Sequence, residues 1–449
     1  MVFPGTPEGG VGTHSAVKPE NPDRIGLLGR FLLANAVALG WAALSVWLAQ
    51  RWSQELAVYV GPVPAWATVL FIAIIPGYLN MLLLMSLALY RQDTLKLDIL
   101  YPPVTILIAA YNEEDCIRDT MRGIRQQEYA NQIEVILVDD GSTDRTVELA
   151  RELGPPNLKV LPAPHGGKAN ALNLGLEKAL FNTVVTIDAD TFLYRNAVQR
   201  IVARLLSHPN NAAVAGHVLA KNERASRMAR LQSWDYMLAI ASVKRQQGLF
   251  RGTLVAQGAF SAFRRNCLRE VKGWQDRIGE DIVLTWALLS RGYRVDYEPT
   301  AFSFTNVPTH LRGFARQRQR WARGMIEGFK SHLDIIWKQR SYSAFFVALD
   351  LLFPLIDFFY TFVFLPGVVL ACFGYRFIAG PLTLLVLPIT LLIVLVMFRS
   401  QKRFLDQAGL KIRRNPWGLV GYVMIYQVLM SPICVAGYFK EAFGWRRKW

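Results

Sequence analysis

The chemistry this chain could do is written in four short acidic stretches. Tyr111-Asn112-Glu113, Asp139-Asp140-Gly141-Ser142-Thr143-Asp144 and Asp188-Ala189-Asp190 each follow directly on an apolar run. Asp139 to Asp144 reads locally as a turn with Ser142, Thr143 or Asp144 capping the next helix. Asp188 and Asp190 read either as a cap or as an oxygen site for Mg²⁺ or Mn²⁺ bridging a diphosphate. Gly279-Glu280-Asp281 precedes a helix-like stretch at 282–289, so Asp281 either caps that helix or serves as a general base toward an attacking hydroxyl. Further on, Gln317, Arg320 and Trp321 are spaced i, i+3, i+4 and share one helix face. Arg312, Arg316, Arg318 and Arg323 make that helix strongly basic, as a helix resting on lipid headgroups would also be.

The elements that must position these groups follow from hydropathy. The runs at 104–110, 135–138 and 184–187 are continuous and apolar, as buried parallel strands are, and helix-like stretches at 114–127 and 169–180 separate them. The alternation predicts an α/β, doubly wound, mostly parallel sheet, with ligands gathering at the carboxyl ends of its strands. The three strand-end acidic stretches fall on one edge of it.

Around this domain the composition is that of a membrane protein: 52% hydrophobic residues over 449 positions, with mean hydropathy +0.21. Five runs, at 31–49, 65–90, 345–373, 378–398 and 417–438, are candidate spans. Lys18, Arg24, Arg30, Arg91 and Lys96 flank the first two, whereas their connecting loop holds only Arg51, which predicts a cytosolic central domain. The loop with Arg399, Lys402, Arg403, Lys411, Arg413 and Arg414 is then cytosolic too, but an odd number of later spans would send Arg446, Arg447 and Lys448 outside. Asp350 and Asp357 fall in the third run, where a carboxylate belongs at the headgroup level or against a protein interior or polar path. The expected division is a disordered tail at 1–24, without the apolar core of a signal peptide, two spans within 25–95, the central domain at 96–340, and about three spans with a basic tail at 341–449. The net charge of +16 suits nucleic acid, an anionic bilayer or an anionic substrate; its clustering at membrane flanks and on the 312–323 helix ranks nucleic acid last. Cys116, Cys267, Cys372 and Cys434 show no metal or disulfide spacing and are expected as buried thiols.

Taken in order, Tyr111-Asn112-Glu113, the DDGSTD stretch, His165-Gly166-Gly167-Lys168, the DAD at 188–190, the GED at 279–281 and the QRQRW at 317–321 resemble the processive membrane members of glycosyltransferase family 2. These are the cellulose, chitin, hyaluronan, poly-N-acetylglucosamine and chitooligosaccharide synthases. The resemblance covers roughly residues 100–335 and the flanking spans. It implies a GT-A fold and a UDP-sugar lying across the Asp139 and Asp140 edge. Tyr111, Glu113, Asp140 and Lys168 would hold uridine and its neighbours, Asp188 would lie near the donor, and Asp190 would sit on the Mg²⁺ or Mn²⁺; Lys168 read without the resemblance is a solvated charge. Asp281 would be the catalytic base, with Glu280, Gln317, Arg320 and Trp321 forming the acceptor and diphosphate platform.

The implied reaction is inverting transfer onto a growing β-linked polysaccharide, which passes through the adjoining spans of the inner (plasma) membrane and leaves room for small membrane or export subunits. No Phe-x-Val-Thr pattern follows Trp321 and no cyclic-dinucleotide module follows the last expected span, which puts amino-sugar polymers ahead of cellulose; 444–449 faintly resembles the Trp-Gly lid of hyaluronan synthases. The expected donor is UDP-N-acetylglucosamine. A glucan synthase using UDP-glucose, a non-processive lipid-carrier transferase and a scaffold with an inactive domain are the alternatives.

Overall fold

A computed structural model describes residues 25–91, 95–339, 341–380, 386–412 and 415–445. The expected tail at 1–24, with Lys18 and Arg24, and the basic positions Arg413, Arg414, Arg446, Arg447 and Lys448 lie outside the described residues.

The central domain is built on one eight-stranded sheet: β1 Val104–Ala110, β2 Ile133–Asp139, β3 Leu158–Pro162, β4 Thr183–Asp188, β5 Phe192–Leu193, β6 Asn211–Ala220, β7 Phe260–Arg264 and β8 Arg294–Thr305. Their spatial order is β3-β2-β1-β4-β7-β6-β8-β5. The three apolar runs read from the sequence are β1, β2 and β4, whose side chains are largely buried on both faces, and with the edge strand β3 they form a parallel half. The remainder of the sheet is mixed: β6 runs parallel to β8, whereas β7 runs antiparallel to both β4 and β6, and β5 antiparallel to β8. This reversal has a functional result. The start of β7 reaches the edge where β1, β2 and β4 end.

Four helices among the described residues are long and apolar enough to cross a bilayer: Leu27–Val60, Pro62–Ala88, Tyr342–Cys372 and Pro416–Ala442. The expected run at 378–398 lies partly on residues not described; its remainder belongs to the helix Val386–Gln407, whose second half carries Arg399, Lys402 and Arg403. Contacts order these helices relative to the domain. Phe31 packs edge-on to Phe345 near the domain, while Trp52 donates to the Phe377 carbonyl and Tyr59 stacks on Phe377 at the other extreme. The 386–407 helix comes back, since Arg245 donates to the Ser400 carbonyl and Tyr194 to that of Ala408.

The 416–442 helix behaves differently, because both of its ends meet the central domain. Trp234 donates to the Asn415 carbonyl at one end, and Arg323 pairs with Glu441 and donates to the Trp445 carbonyl at the other. Trp445, the last described residue, therefore lies against the domain. Of the two carboxylates in the Tyr342–Cys372 helix, Asp357 is buried and accepts hydrogen bonds from Ser431 and Tyr438 of the 416–442 helix. It faces protein, not lipid. The cysteines depart from expectation: Cys267 is buried, Cys116 and Cys434 are half-buried, and Cys372 is exposed at the end of an apolar helix whose outer face would meet lipid.

Candidate active site

The register of the parallel half sets the acidic stretches at one level. Ala110 is opposite Asp139 and Ala109 is opposite Asp188, so the residues after β1, β2 and β4 emerge side by side. Asn112 adopts a left-handed backbone (φ 52°), which turns the chain sharply after β1. Its side-chain oxygen accepts from the Thr143 amide, its own amide donates to Ser142, and that of Glu113 donates to Thr146. The hydroxyls and carboxylates of the DDGSTD stretch therefore tie two loops together. Asp139 accepts from the Ser142 amide as a turn former.

Asp140 is 3% exposed, and its carboxylate accepts from the amides of Gly166 and Gly167. His165 Nδ1 lies 3.0 Å from the same carboxylate, and its ring stacks on the exposed ring of Tyr111 with centroids 4.3 Å apart. Asp140 thus holds the His165–Lys168 loop in place, and the Tyr111–His165 pair forms an aromatic shelf on the edge.

From that loop starts the helix Lys168–Lys178, and Lys168 is the junction of the site. Its ammonium bonds Asp188 of the DAD stretch and lies 3.5 Å from Glu280 of the GED stretch. Burial disfavours its charge, but Asp188 and Glu280 outweigh burial and hold it protonated, with its pKa raised. Burial also raises Glu280, which Lys168 and Arg320 counter. A side chain at Gly258, just before β7, would put its Cβ 2.4 Å from the Lys168 nitrogen. Only glycine leaves that space open.

Asp190 accepts from Thr305 at the end of β8 and from Thr191. Burial, then the neighbouring charge of Asp188, push its pKa up to about 6; burial, then Asp190 and Asp188, push Glu113 up to about 7. Crowded carboxylates of this kind relieve their repulsion by taking a proton or a cation. Among the described residues no three ligating side chains form a closed cage. Asp190 beside Asp188 still fits the way Mg²⁺ and Mn²⁺ are often held, by one or two carboxylates with substrate oxygens completing the shell.

Glu280 and Asp281 open the helix Glu280–Ser290, where the Ile282 amide donates to Asp281, so the carboxylate caps its own first turn. Its charge also acts on Lys168 and on the buried Lys244. The helix Leu311–His332 packs directly against this turn: the Gly279 amide donates to Glu327, and a Cβ on Gly279 would lie 2.4 Å from the Gly324 Cα. On it, Arg320 is exposed, without a hydrogen bond to any described residue, and acts electrostatically on Glu280 and Tyr236. Trp321 is 37% exposed and faces Tyr236, ring centroids 6.3 Å apart. The Gln317 side-chain oxygen is buried with no hydrogen-bond partner among the described residues.

The structure thus gathers Tyr111, Glu113, Asp139, Asp140, Lys168, Asp188, Asp190, Glu280 and Asp281 at one end of the sheet, with the helix that carries Arg320 and Trp321 packed against the Gly279–Asp281 turn. Sequence reasoning missed Gly258, Thr305, Asp235 and Tyr236. None of these sits in a recognisable motif; only the antiparallel β7 and the end of β8 deliver the first two.

Residues 105–272 match the model of the family described as Glycosyl transferase family 2. This part of the chain is a glycosyl transferase family 2 domain. Over 224 residues, 49% of this chain, it is 36% identical to the poly-beta-1,6-N-acetyl-D-glucosamine synthase of Staphylococcus aureus strain MSSA476. The protein of that name from Staphylococcus epidermidis is 33% identical over the same extent. The chain spans about half the length of these relatives, 54%. Among solved structures, the mannosyltransferase PcManGT of Pyrobaculum calidifontis, in complex with GDP-Man and Mn²⁺, superposes with a TM-score of 0.56 at 20% identity, covering 94% of this chain and 100% of that one. That likeness is one of fold, GT-A with its apolar helices.

Proposed function

We propose that the protein is an inverting, processive polysaccharide synthase that transfers N-acetylglucosamine from UDP-N-acetylglucosamine to a growing β-linked chain and passes it across the inner membrane, with the family 2 domain on the cytosolic side. The observation that carries this is Lys168 joining Asp188 to Glu280 at the strand edge, with Arg320 acting electrostatically on Glu280. The names of the staphylococcal relatives point to N-acetylglucosamine and a β-1,6 linkage.

In this reading the Tyr111–His165 shelf and Asp139 receive the uridine, and Asp140 keeps that loop closed. Lys168 and Arg320 neutralise the diphosphate, and Trp321 offers its indole face to the acceptor sugar. Asp281 takes the proton of the acceptor hydroxyl as its oxygen attacks the anomeric carbon; the bond to UDP breaks on the opposite face, so an α-linked donor gives a β-linkage. Asp190, with Asp188, would hold a divalent cation, consistent with the Mn²⁺ bound by PcManGT. Such an ion neutralises charge on the leaving diphosphate.

The test is to incubate purified protein in detergent with UDP-N-acetylglucosamine or UDP-glucose and Mg²⁺ or Mn²⁺, then size the product and digest it with linkage-specific hydrolases. Long hexosaminidase-sensitive chains are expected. Short products only, or incorporation solely into lipid, would refute the polymer assignment. Asp281→Asn should lower transfer by about 10³-fold or more while UDP affinity, read by calorimetry, stays within about twofold. Near wild-type turnover would remove Asp281 from the role of base.

A further inference from the structure

One carboxylate outside every motif ties the acceptor platform to the last helix. Asp235 lies in the helix Arg227–Asp235, directly before Tyr236, and is buried. Its Oδ2 accepts from Arg318 Nη2 at 2.9 Å and from the Tyr426 hydroxyl at 2.8 Å. Arg318 is 4% exposed, and its guanidinium carbon lies 4.1 Å from the centroid of the Trp321 ring, 5.3 Å from that of Phe314 and 5.8 Å from that of Tyr426. Burial disfavours the charge on Arg318, and Asp235 restores it. The first arginine of QRQRW therefore stacks on the covered side of the indole, while Tyr236 bounds another side.

We infer that Asp235 is a positioning residue: through Arg318 it sets the orientation of Trp321, and through Tyr426 it makes that orientation depend on where the 416–442 helix sits. An arginine does this better than a lysine because its planar group can stack on a ring and donate sideways to a carboxylate at once. The pair cannot be broken on one side without leaving a buried charge. The part of the inference that concerns acceptor binding rests on the proposed function; the part that concerns the indole does not.

Two measurements on the full-length protein separate these parts. Asp235→Asn combined with Arg318→Gln removes both charges and keeps the side chains close in size. In protein labelled with 5-fluorotryptophan, the Trp321 fluorine resonance, assigned by its loss in Trp321→Phe, is expected to shift and broaden in the double variant. Tyr426→Phe should move it in the same direction by less. An unchanged resonance would overturn the inference, whatever the protein's activity. With polymer synthesis in hand, the double variant should raise KM for a β-linked N-acetylglucosamine oligomer about tenfold, with donor KM within about twofold. Loss of donor and acceptor affinity in equal measure would mean general unfolding of the site and would also overturn it. A shifted resonance in a protein whose wild type transfers no sugar would uphold the clamp and refute the functional assignment.

Discussion

Lys168 shows how a side chain that could pass for a solvated charge becomes the centre of a site. Its two acidic partners come from stretches more than ninety positions apart, and the space for its ammonium exists because residue 258 has no side chain. Gly258→Ala should therefore leave the fold intact, since only the far end of a flexible side chain must move. We expect a melting temperature within about 2 °C of wild type and transfer reduced about tenfold or more; a fully active variant would show that Lys168 need not sit there. His217 on β6 belongs to the same scale but to stability. Burial holds its pKa down to about 4, with Nδ1 against the Pro299 carbonyl and Nε2 buried without a partner among the described residues. Because the folded value is lowered, its contribution is whole above about pH 6.5, where both states are neutral, and drains away as pH falls toward 4. Up to about 3 kcal/mol is at stake. Melting followed between pH 7.5 and 4.5 should show a shallower slope in His217→Asn, and identical slopes would contradict this.

At the scale of elements, the central contact is between the helix that carries Asp281 and the helix that carries Trp321. Gly279 and Gly324 let the two backbones touch, and each would place a new Cβ within 2.7 Å of the other's backbone. Gly324→Ala should cost about 1–3 kcal/mol and, on the proposed function, lower kcat by separating Asp281 from Trp321, read as a lower denaturation midpoint together with slower transfer. A variant as stable and as fast as wild type would mean that the helices have slack. Much of this level was legible in advance: β1 has the bounds its apolar run suggested, and the parallel register placed three acidic stretches on one edge. The reversal of β7 was not. A five-residue strand such as Phe260–Arg264 carries no mark of its direction. Asp235 escaped for a related reason, since a single acidic residue between Trp234 and Tyr236 belongs to no motif until Arg318 and Tyr426 converge on it.

For the whole molecule, hydropathy found the apolar helices but could not say how each lies. The 416–442 helix has the length and composition of a span, yet Trp234 meets one end of it while Arg323 and Lys330 meet the other. Maleimide labelling of single cysteines placed at Trp417 and Phe443, in sealed inverted vesicles, should find both on the side of the family 2 domain. Labelling from opposite sides would show that this helix crosses.

That arrangement also has a consequence for biosynthesis. The Leu311–His332 helix leaves the ribosome with one long face bare, including the flank where Gly437 will later sit within van der Waals reach of Gln319 and Ala322. Its cover is translated only after the 342–372 and 386–407 helices. Until then the Arg318 guanidinium has Asp235 but not Tyr426, and Arg323 and Lys330 lack Glu441. A nascent chain that already contains every acidic stretch still lacks part of the packing around Arg318 and Trp321, so the proposed transfer would wait until the 416–442 helix is in place.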